Sequence, residues 1–451
     1  MGKLFGTDGI RGVAGEPPLD QDDIYRTGHC LTRYLIPAHA RPRILIGRDT
    51  RESGPWIERV LRRAIEDAGG IVELCGVVST PAVSFFTRAT EAQAGIMISA
   101  SHNPYQDNGI KIFSSEGIKF NDAVEEELEA QILASSLMAP DGNGSNPKAA
   151  TLDFSIPPKF RDLYTEHLRD VLPPGFQLRG LRLVVDCANG SLSTIAPAFL
   201  RSLGADVRAI HCTPDGRNIN RRAGALHLDR LQEEVRGQKA DLGIAFDGDA
   251  DRSMFVDSGG GIHDGDDVLY LLARYALPPT ALRVVVGTVM ANLGLEVALE
   301  GIGIQLVRTA VGDRYVLEEM LRLGADIGGE QSGHIIMRRL ARTGDGLLTT
   351  LKVLEILAAE KQALEALCKG IKRLPQVLLN VQVREKVPFE DIEGLRDTEA
   401  ACKSSLGERS RILLRYSGTE KLARVMVEGE DERTVREAAR RLAAHFENLQ
   451  N

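Results

Sequence analysis

Three polar loops, each placed directly after an apolar run, carry the side chains of this chain that are best suited to chemistry. They cover residues 99–104, 247–252 and 328–334. The first contains a serine beside a histidine, the second three aspartates, and the third a carboxylate, a hydroxyl and an imidazole. Because the strand ends of α/β folds converge on a shared crevice, these loops predict one composite active site.

Ser101 is the candidate nucleophile of the first loop. It follows an apolar run, stands next to His102, and is followed by the cation of Lys111. An ordinary structural serine is the alternative interpretation. No G-x-S-x-G pattern surrounds Ser101 or Ser332, so the sequence does not favour a triad hydrolase.

The second loop is a candidate cation site. Asp247, Asp249 and Asp251 alternate along it, and three carboxylates this close are costly unless a cation neutralises them. An exposed acidic turn is the alternative. An EF-hand would need Gly and Glu where this chain has Arg252 and Ser258. The pattern therefore favours a Mg²⁺ site that, with Arg252, stabilises charge on a transferring phosphoryl group.

The third loop is suited to binding a sugar. Glu330 and Ser332 can hydrogen-bond hydroxyl groups, and His334 can exchange protons near neutral pH. A plain glycine-flanked turn is the alternative interpretation. No Walker A loop or complete dinucleotide fingerprint is present, so nucleotide binding is not supported.

A fourth cluster near the C-terminus is suited to binding a phosphate dianion. It combines two arginines and two hydroxyls with a glycine-opened turn, which together supply charge-assisted donors. Its residues are Arg415, Ser417, Gly418, Thr419 and Arg424.

The elements that position these loops are short Val/Ile/Leu runs that alternate with helical patterns. This alternation occurs three times and predicts buried parallel or mixed sheets. After residue 372 the pattern changes to strands flanked by helices. We therefore expect an α/β protein with three related α/β domains and a small C-terminal α+β domain, although one larger sheet is an alternative. The expected boundaries are 1–150, 151–257, 258–372 and 373–451.

Composition limits the classes of partner. The 451 residues carry a formal net charge of −8 from interspersed acidic and basic side chains, which argues against nucleic-acid and anionic-membrane partners. Six cysteines lack any C-x-x-C spacing that would suggest zinc or a redox pair. There is no long apolar run and no apolar signal core, so we expect a cytoplasmic protein without membrane association.

The motifs together resemble those of the α-D-phosphohexomutases, nearly end to end. The resemblance implies four domains around a central active-site cleft, with Ser101 as a phosphoserine. It makes Asp247, Asp249 and Asp251 the ligands of one Mg²⁺ ion, alongside the phosphate on Ser101. The matching stretches are 5–12, 47–51, 98–113, 186–190, 246–252, 308–316, 328–335 and 415–429.

The resemblance also implies roles for the other candidate residues. From the residues themselves, His102 and Lys111 are candidates for proton transfer and charge stabilisation beside Ser101, and Arg252 is a candidate to share in stabilising the phosphoryl charge. A glucose or glucosamine 1,6-bisphosphate would serve as activator, and the resemblance implies a homodimer. The expected substrate-binding residues are Thr7, Arg11, Glu330, Ser332, His334, Arg415, Ser417, Gly418, Thr419 and Arg424.

Within the family, segments 309–314 and 330–334 look like the branch that acts on glucosamine phosphates, because other branches usually carry Met or another residue at the position of Gln331. The expected reaction is reversible conversion of glucosamine 6-phosphate to glucosamine 1-phosphate, feeding UDP-N-acetylglucosamine synthesis. Alternatives are phosphomannomutase or phosphoglucomutase activity, a Mg²⁺-dependent phosphatase, and a non-catalytic phosphosugar-binding protein.

Four positions depart from the usual family pattern, among them Ala423, which replaces a larger aliphatic residue. Ala250 stands where Gly is common, and we expect a negative φ there because a side chain disfavours the left-handed region. Tyr416 and Lys421 replace prolines of the phosphate loop, so we expect a less rigid loop.

Overall fold

The computed structural model describes residues 4–6, 8–140, 152–278, 281–417 and 421–447. The chain divides into two compact units. Unit 1 comprises Met1–Val289 and Val307–Cys368, and unit 2 comprises Met290–Leu306 and Lys369–Asn451. Elements are numbered in chain order.

The first sheet of unit 1 has the strand order β1-β2-β6-β5-β3-β4. The central strands β3 and β5 pair in parallel, whereas β6 is antiparallel to both β5 and β2. The interior of β5 is completely apolar and buried, as expected for a strand covered on both faces. Its elements are β1 (Phe5–Gly6), β2 (Gly9–Val13), α1 (Gln21–Leu35), β3 (Arg43–Arg48), α2 (Gly54–Asp67), β4 (Ile71–Val77), α3 (Thr80–Ala89), β5 (Ala94–Ile98), β6 (Asp107–Ser114) and α4 (Asp122–Ala134).

The second sheet has the order β11-β10-β9-β7-β8. Its strands β7, β8 and β9 are parallel, and β10 returns antiparallel to β9. The turn between β9 and β10 contains the aspartates. The elements are α5 (Pro158–Asp170), β7 (Arg182–Asp186), α6 (Ala196–Ser202), β8 (Asp206–Ile210), a 3₁₀ turn (Gly224–Leu226), α7 (Asp229–Gln238), β9 (Leu242–Phe246), β10 (Ser253–Asp257) and β11 (Ile262–His263).

The third sheet has the order β13-β12-β14-β15, with β12 parallel to β14 and β15 antiparallel to β14. Helix α8 begins with a capping box, in which Asp264 and Asp267 satisfy each other's backbone N–H groups. The elements are α8 (Gly265–Tyr275), β12 (Val284–Thr288), α9 (Leu293–Glu300), β13 (Gln305–Thr309), α10 (Asp313–Leu323), β14 (Ile327–Gly329), β15 (Ile335–Met337), α11 (Gly346–Glu360), α12 (Leu364–Leu367) and a 3₁₀ turn (Cys368–Gly370).

Unit 2 contains an antiparallel sheet of order β16-β18-β17. The amphipathic helix α14 packs its apolar face, including Leu442 and Phe446, into the same core as Val425 and Val427 of the sheet. The elements are β16 (Gln376–Gln382), a 3₁₀ turn (Phe389–Asp391), α13 (Leu395–Leu406), β17 (Arg411–Tyr416), β18 (Leu422–Glu428) and α14 (Glu432–Glu447). Helix α9 belongs to this unit as well.

The expected fold class is confirmed, with three mixed α/β sheets and a small C-terminal α+β part. The alternative of one larger sheet is wrong, because the strands form separate sheets. Among the described helices, none is both long enough and apolar enough to cross a membrane.

Candidate active site

Ser101 lies at the tight turn between β5 and β6, where its side chain meets the aspartate loop. Its Oγ donates a hydrogen bond to Oδ2 of Asp247 at 2.7 Å and lies 3.3 Å from Nδ1 of His102. The residue is 1% exposed and has a φ of 51°. A non-glycine residue in this left-handed region carries backbone strain, so the surrounding structure must hold Ser101 in place.

Arg51 fixes the backbone around Ser101. Its guanidinium is completely buried and donates to the backbone carbonyls of Ser101 and Asn103, both at 2.9 Å. It also bonds the carbonyls of Pro104 and Asp107. One planar side chain therefore ties together both sides of the serine turn.

Asp49 neutralises this arginine and extends the network to the serine. Its Oδ2 accepts from Nε of Arg51 at 2.9 Å and from Oγ of Ser99 at 2.6 Å. Ser99 Oγ in turn accepts from the backbone N–H of Ser101 at 2.9 Å. Both main-chain polar groups of Ser101 are thus bonded to one buried network.

The three aspartates of the second loop converge as predicted. One ligand oxygen from each of Asp247, Asp249 and Asp251 lies within 4.8 Å of the others, and all three side chains are buried. Lys111 Nζ contacts Oδ2 of Asp249 at 2.8 Å and Oδ2 of Asp251 at 3.5 Å. The alternative of an exposed acidic turn is therefore wrong.

The carboxylates retain oxygens for a cation. Within the described residues, the buried Oδ1 atoms of Asp249 and Asp251 have no hydrogen-bond partner. Unpaired buried carboxylate oxygens are costly, and an oxygen-only donor set is the kind that Mg²⁺ prefers. The residues present therefore fit a Mg²⁺ ion.

The pKa values of the site show how the negative charges interact. Burial, followed by the charges of Asp251 and Asp249, holds the pKa of Asp247 well above its usual value. Burial acts to raise the pKa of Asp251 as well, but the Lys111 charge and the His334 contact outweigh it and hold the pKa well below normal. Without a bound cation the three carboxylates do not ionise independently.

The two candidate proton-transfer groups differ in charge. Burial acts to lower the pKa of Lys111, but the charges of Asp249, Asp8 and Asp251 outweigh burial and hold it well above normal. Burial, followed by the charge of Arg252, lowers the pKa of His102 to about 4. At neutral pH, Lys111 is therefore a cation and His102 is neutral.

The third loop joins the aspartate site through His334. Its Nε2 accepts the backbone N–H of Gly344 at 2.9 Å, which in the neutral ring places the proton on Nδ1. Nδ1 lies 3.7 Å from Oδ2 of Asp251. Glu330 Oε1 accepts from Gly312 N–H at 3.1 Å, and Oε2 lies 3.5 Å from Ser332 Oγ. The structure thus brings all three predicted loops together in unit 1.

The expectation of a negative φ at Ala250 is wrong. Its φ is 58°, in the left-handed region. The turn requires this conformation because Ala250 N–H bonds the Asp247 carbonyl at 3.1 Å, while the Ala250 carbonyl accepts from Gly346 at 3.0 Å. The aspartate loop therefore carries strain that a glycine would not.

The predicted phosphate cluster lies in unit 2. Arg415 and Arg424 occupy directly opposite positions on β17 and β18. Two like charges facing each other across a sheet are unfavourable, and burial, followed by the Arg424 charge, lowers the pKa of Arg415. An anion between them would remove this repulsion. Ser417 is buried at the end of β17, whereas Gly418 and Thr419 lie outside the described residues.

Family models match almost the whole chain. The descriptions are phosphoglucomutase/phosphomannomutase alpha/beta/alpha domain I for residues 2–138, domain II for 162–260, domain III for 264–374, and the C-terminal domain for 378–445. The chain belongs to the α-D-phosphohexomutase family. Members of this family generally use Mg²⁺ and a phosphoserine.

Curated relatives of this phosphohexomutase include three bacterial proteins named phosphoglucosamine mutase. That of Koribacter versatilis is 45% identical, over 98% of this chain and 96% of the relative. That of Chromohalobacter salexigens is 44% identical, over 99% of this chain and 98% of the relative. That of Escherichia fergusonii is 45% identical, over 98% of each chain.

Solved structures share the fold. A phosphoglucomutase/phosphomannomutase family protein from Burkholderia thailandensis superposes with a TM-score of 0.78 at 23% identity, covering 98% of this chain and 97% of the other. An N-acetylphosphoglucosamine mutase from Aspergillus fumigatus, solved with GlcNAc-6P and magnesium, gives a TM-score of 0.64 at 17% identity, covering 99% and 96%. At these identities the similarity establishes the fold of the phosphohexomutase.

The structure adds charged residues to this phosphohexomutase site that the sequence did not single out. Asp8 lies 3.0 Å from Lys111 Nζ and also pairs with Arg11 and Lys119. Lys119 Nζ lies 2.6 Å from Asp313 Oδ2. Arg11 is therefore placed beside the Lys111 cluster, while Thr7 lies outside the described residues.

Proposed function

We propose that this phosphohexomutase interconverts glucosamine 6-phosphate and glucosamine 1-phosphate, supplying UDP-N-acetylglucosamine synthesis. Relatives named phosphoglucosamine mutase, 44–46% identical over nearly the whole chain, support the substrate. The single observation that carries the mechanism is the contact between Ser101 Oγ and Asp247 Oδ2, next to two aspartate oxygens that have no hydrogen-bond partner among the described residues. This contact supports the assignment of Ser101 as a nucleophile that acts beside a Mg²⁺ site.

The proposed reaction consists of two phosphoryl transfers. Phosphorylated Ser101 loses its phosphoryl group as the P–Oγ bond breaks and a bond forms to the free sugar hydroxyl, giving a 1,6-bisphosphate. The proton lost by that hydroxyl is balanced by the proton that Ser101 Oγ gains. The bisphosphate then turns over, and the other phosphoryl group returns to Ser101 with the opposite proton movement. Glucose or glucosamine 1,6-bisphosphate would restore the phosphoserine when an intermediate escapes.

Each side chain at this centre has a distinct task in the proposal. Asp247, Asp249 and Asp251 would hold Mg²⁺ together with the phosphate on Ser101; the ion would neutralise charge that develops on the phosphoryl group. Lys111, held as a cation by its carboxylate neighbours, contributes fixed positive charge in a buried setting. His102, neutral at pH 7, orients Ser101 Oγ, and Arg252 contributes a further cation.

The remaining residues bind the substrate in this proposal. Glu330 and Ser332 hydrogen-bond the sugar hydroxyls, and Arg11 and His334 make further substrate contacts. Thr7 is assigned to the same substrate-binding set from the family resemblance alone. The phosphate that does not react binds the cluster in unit 2, since that phosphate needs donors at a position separate from Ser101. That cluster comprises Arg415, Ser417, Gly418, Thr419 and Arg424.

The proposal includes the organisation of the whole enzyme. Domain boundaries at 1–150, 151–257, 258–372 and 373–451 remain our assignment. We also propose a cytoplasmic homodimer.

A coupled assay tests this function. Wild-type protein is supplied with Mg²⁺, glucosamine 6-phosphate and a catalytic amount of glucose 1,6-bisphosphate, beside Ser101→Ala and the exposed control Ser404→Ala. We expect glucosamine 1-phosphate formation by wild type and Ser404→Ala, and none by Ser101→Ala. The kcat/KM for glucosamine phosphate should exceed that for glucose and mannose phosphates.

The alternatives give different results in the same assay. A higher kcat/KM on mannose or glucose phosphate would refute the proposed substrate but would remain compatible with the proposed mechanism. Release of inorganic phosphate without isomerisation would indicate a phosphatase. Binding of substrate without turnover in the phosphorylated wild-type protein would indicate a phosphosugar-binding protein.

A further inference from the structure

A second group of potential metal ligands lies in unit 1, apart from the three aspartates. It consists of His263 at the end of β11, Asp267 in the first turn of α8, and Cys368 immediately after α12. Their ligand atoms Nδ1, carboxylate O and Sγ all lie within 4.8 Å of one another. The thiol distinguishes this cluster from the oxygen-only aspartate site, because thiolate and imidazole ligands select transition metals.

His263 is oriented as a metal-binding histidine would be. Its Nε2 lies 3.0 Å from Oδ2 of Asp257, so the neutral ring carries its proton on Nε2 and presents a bare Nδ1. A carboxylate behind the outer nitrogen is the usual support of a metal-bound histidine. Within the described residues Nδ1 has no hydrogen-bond partner, although it is shielded from solvent and the residue is only 9% exposed.

Nδ1 faces the other two ligands. Oδ2 of Asp267 lies 3.7 Å from it, too far for a hydrogen bond. Tetrahedral zinc with bonds of about 2.0–2.3 Å separates neighbouring ligand atoms by about 3.2–3.8 Å. The spacing of Nδ1 and Oδ2 therefore suits two bonds to a common ion better than one bond to each other.

We propose that His263, Asp267 and Cys368 bind a Zn²⁺ ion, with Asp257 as the positioning residue and a water molecule as the fourth ligand. The ion would join the start of α8 to Cys368, the last residue of unit 1. The first N–H of α8, from Gly265, bonds the Gln331 carbonyl at 3.0 Å. The proposed ion therefore stabilises the base of the loop that carries Glu330 and Ser332.

Cobalt is the probe that separates this site from the aspartate site. The full chain, freed of metal with a chelator and kept in excess Mg²⁺ under reducing conditions, is titrated with Co²⁺. Thiolate coordination gives a near-ultraviolet charge-transfer band, which an oxygen-only site cannot produce. We expect this band to saturate at one Co²⁺ per chain and to disappear when Zn²⁺ is added.

Substitutions test which residues give rise to the charge-transfer band. Cys368→Ser should abolish it, and His263→Gln should abolish it or shift it to much higher Co²⁺ concentration. Asp257→Asn should weaken Co²⁺ binding about 10- to 100-fold, because the histidine loses its support. Cys212→Ser, which removes a partly exposed free thiol, should leave the band unchanged.

Folding is checked independently by the fluorescence of the single tryptophan, Trp56, which is buried in unit 1. Zn²⁺ should raise the thermal unfolding midpoint of wild type and not that of Cys368→Ser. A folded wild-type protein without the band, or a band that persists in Cys368→Ser, would overturn the proposal. In the first case His263 would serve only as a hydrogen-bond partner of Asp257.

Discussion

Replacement of Arg51 by lysine isolates the effect of its planar guanidinium group, because the positive charge beside Asp49 is retained. The guanidinium makes five hydrogen bonds, one to the Asp49 carboxylate and four to the backbone carbonyls around Ser101. A lysine has three donors on one nitrogen and cannot reach both sides of the turn. At least two bonds are therefore lost.

The magnitude follows from the burial of these groups. Each lost bond to a charged donor is worth about 1.5–3 kcal/mol, so we expect Arg51→Lys to lower the free energy of unfolding by about 3–6 kcal/mol. Ser101 also loses the bond that holds its left-handed backbone. A displaced nucleophile should lower kcat by about 10- to 100-fold, with little change in KM.

Unfolding in guanidinium chloride, followed by Trp56 fluorescence, measures the stability of unit 1, and the mutase assay measures kcat. The control is Arg62→Lys, whose side chain is 53% exposed and pairs with Glu66 on the surface of α2. We expect that change to cost less than about 0.5 kcal/mol. If Arg51→Lys behaved like the control in both measurements, the claim that Arg51 positions Ser101 would be refuted.

Three further outcomes are expected. Ala250→Gly should be neutral or raise the free energy of unfolding by up to about 1 kcal/mol, because glycine relieves the left-handed strain. Ala64→Gly, in the last turn of α2, should instead lower the free energy of unfolding by about 1 kcal/mol in the same denaturation experiment. Burial raises the pKa of Asp345 to about 6 although Tyr164 bonds it, so its ionisation destabilises the fold above that pH. Relative to that of Asp345→Asn, the free energy of unfolding of wild type should rise by about 3 kcal/mol as the pH falls from 7.5 to 3.8. A difference between the two proteins that does not change with pH would contradict this. Tyr416→Phe should cost about 1 kcal/mol, because its hydroxyl bonds a backbone carbonyl at 2.6 Å; an unchanged denaturation midpoint of unit 2 would contradict it.

The sequence predicted the parts of the site that depend on strand ends. Asp247, Asp249 and Asp251 are close in sequence, and they follow β9 as Ser101 follows β5, so the meeting of the two loops could be inferred. Periodicity likewise predicted the buried strands, because each is a short, continuous apolar run. It favoured three domains but left one larger sheet open, and only the strand pairings of the structure exclude that alternative.

The sequence could not predict the long-range pairings. Nothing in the spacing of Asp49, Arg51 and Ser99 says that their side chains share one buried network beneath Ser101. A motif match at 47–51 indicated relatedness without indicating this task. The cluster of His263 and Cys368 was hidden for the same reason, since its ligands come from distant segments and not from a C-x-x-C motif.

The left-handed conformation of Ala250 was missed because residue preference is a weaker determinant than the closure of a turn at both ends. Tyr416 shows a related effect. Where a proline would restrict the phosphate loop through its ring, Tyr416 anchors the end of β17 by bonding the Val387 carbonyl and stacking on Phe389 at 4.8 Å. Loss of the proline at this position is therefore offset by side-chain contacts.

The position of Lys111 among the carboxylates has a consequence for how the enzyme acquires its ion. Because Lys111 supplies a counter-ion to Asp249 and Asp251, we expect unit 1 to fold without a bound metal ion. Magnesium would then bind reversibly to the folded enzyme. Catalytic output would follow the free magnesium of the surroundings from moment to moment, with no need for resynthesis or refolding.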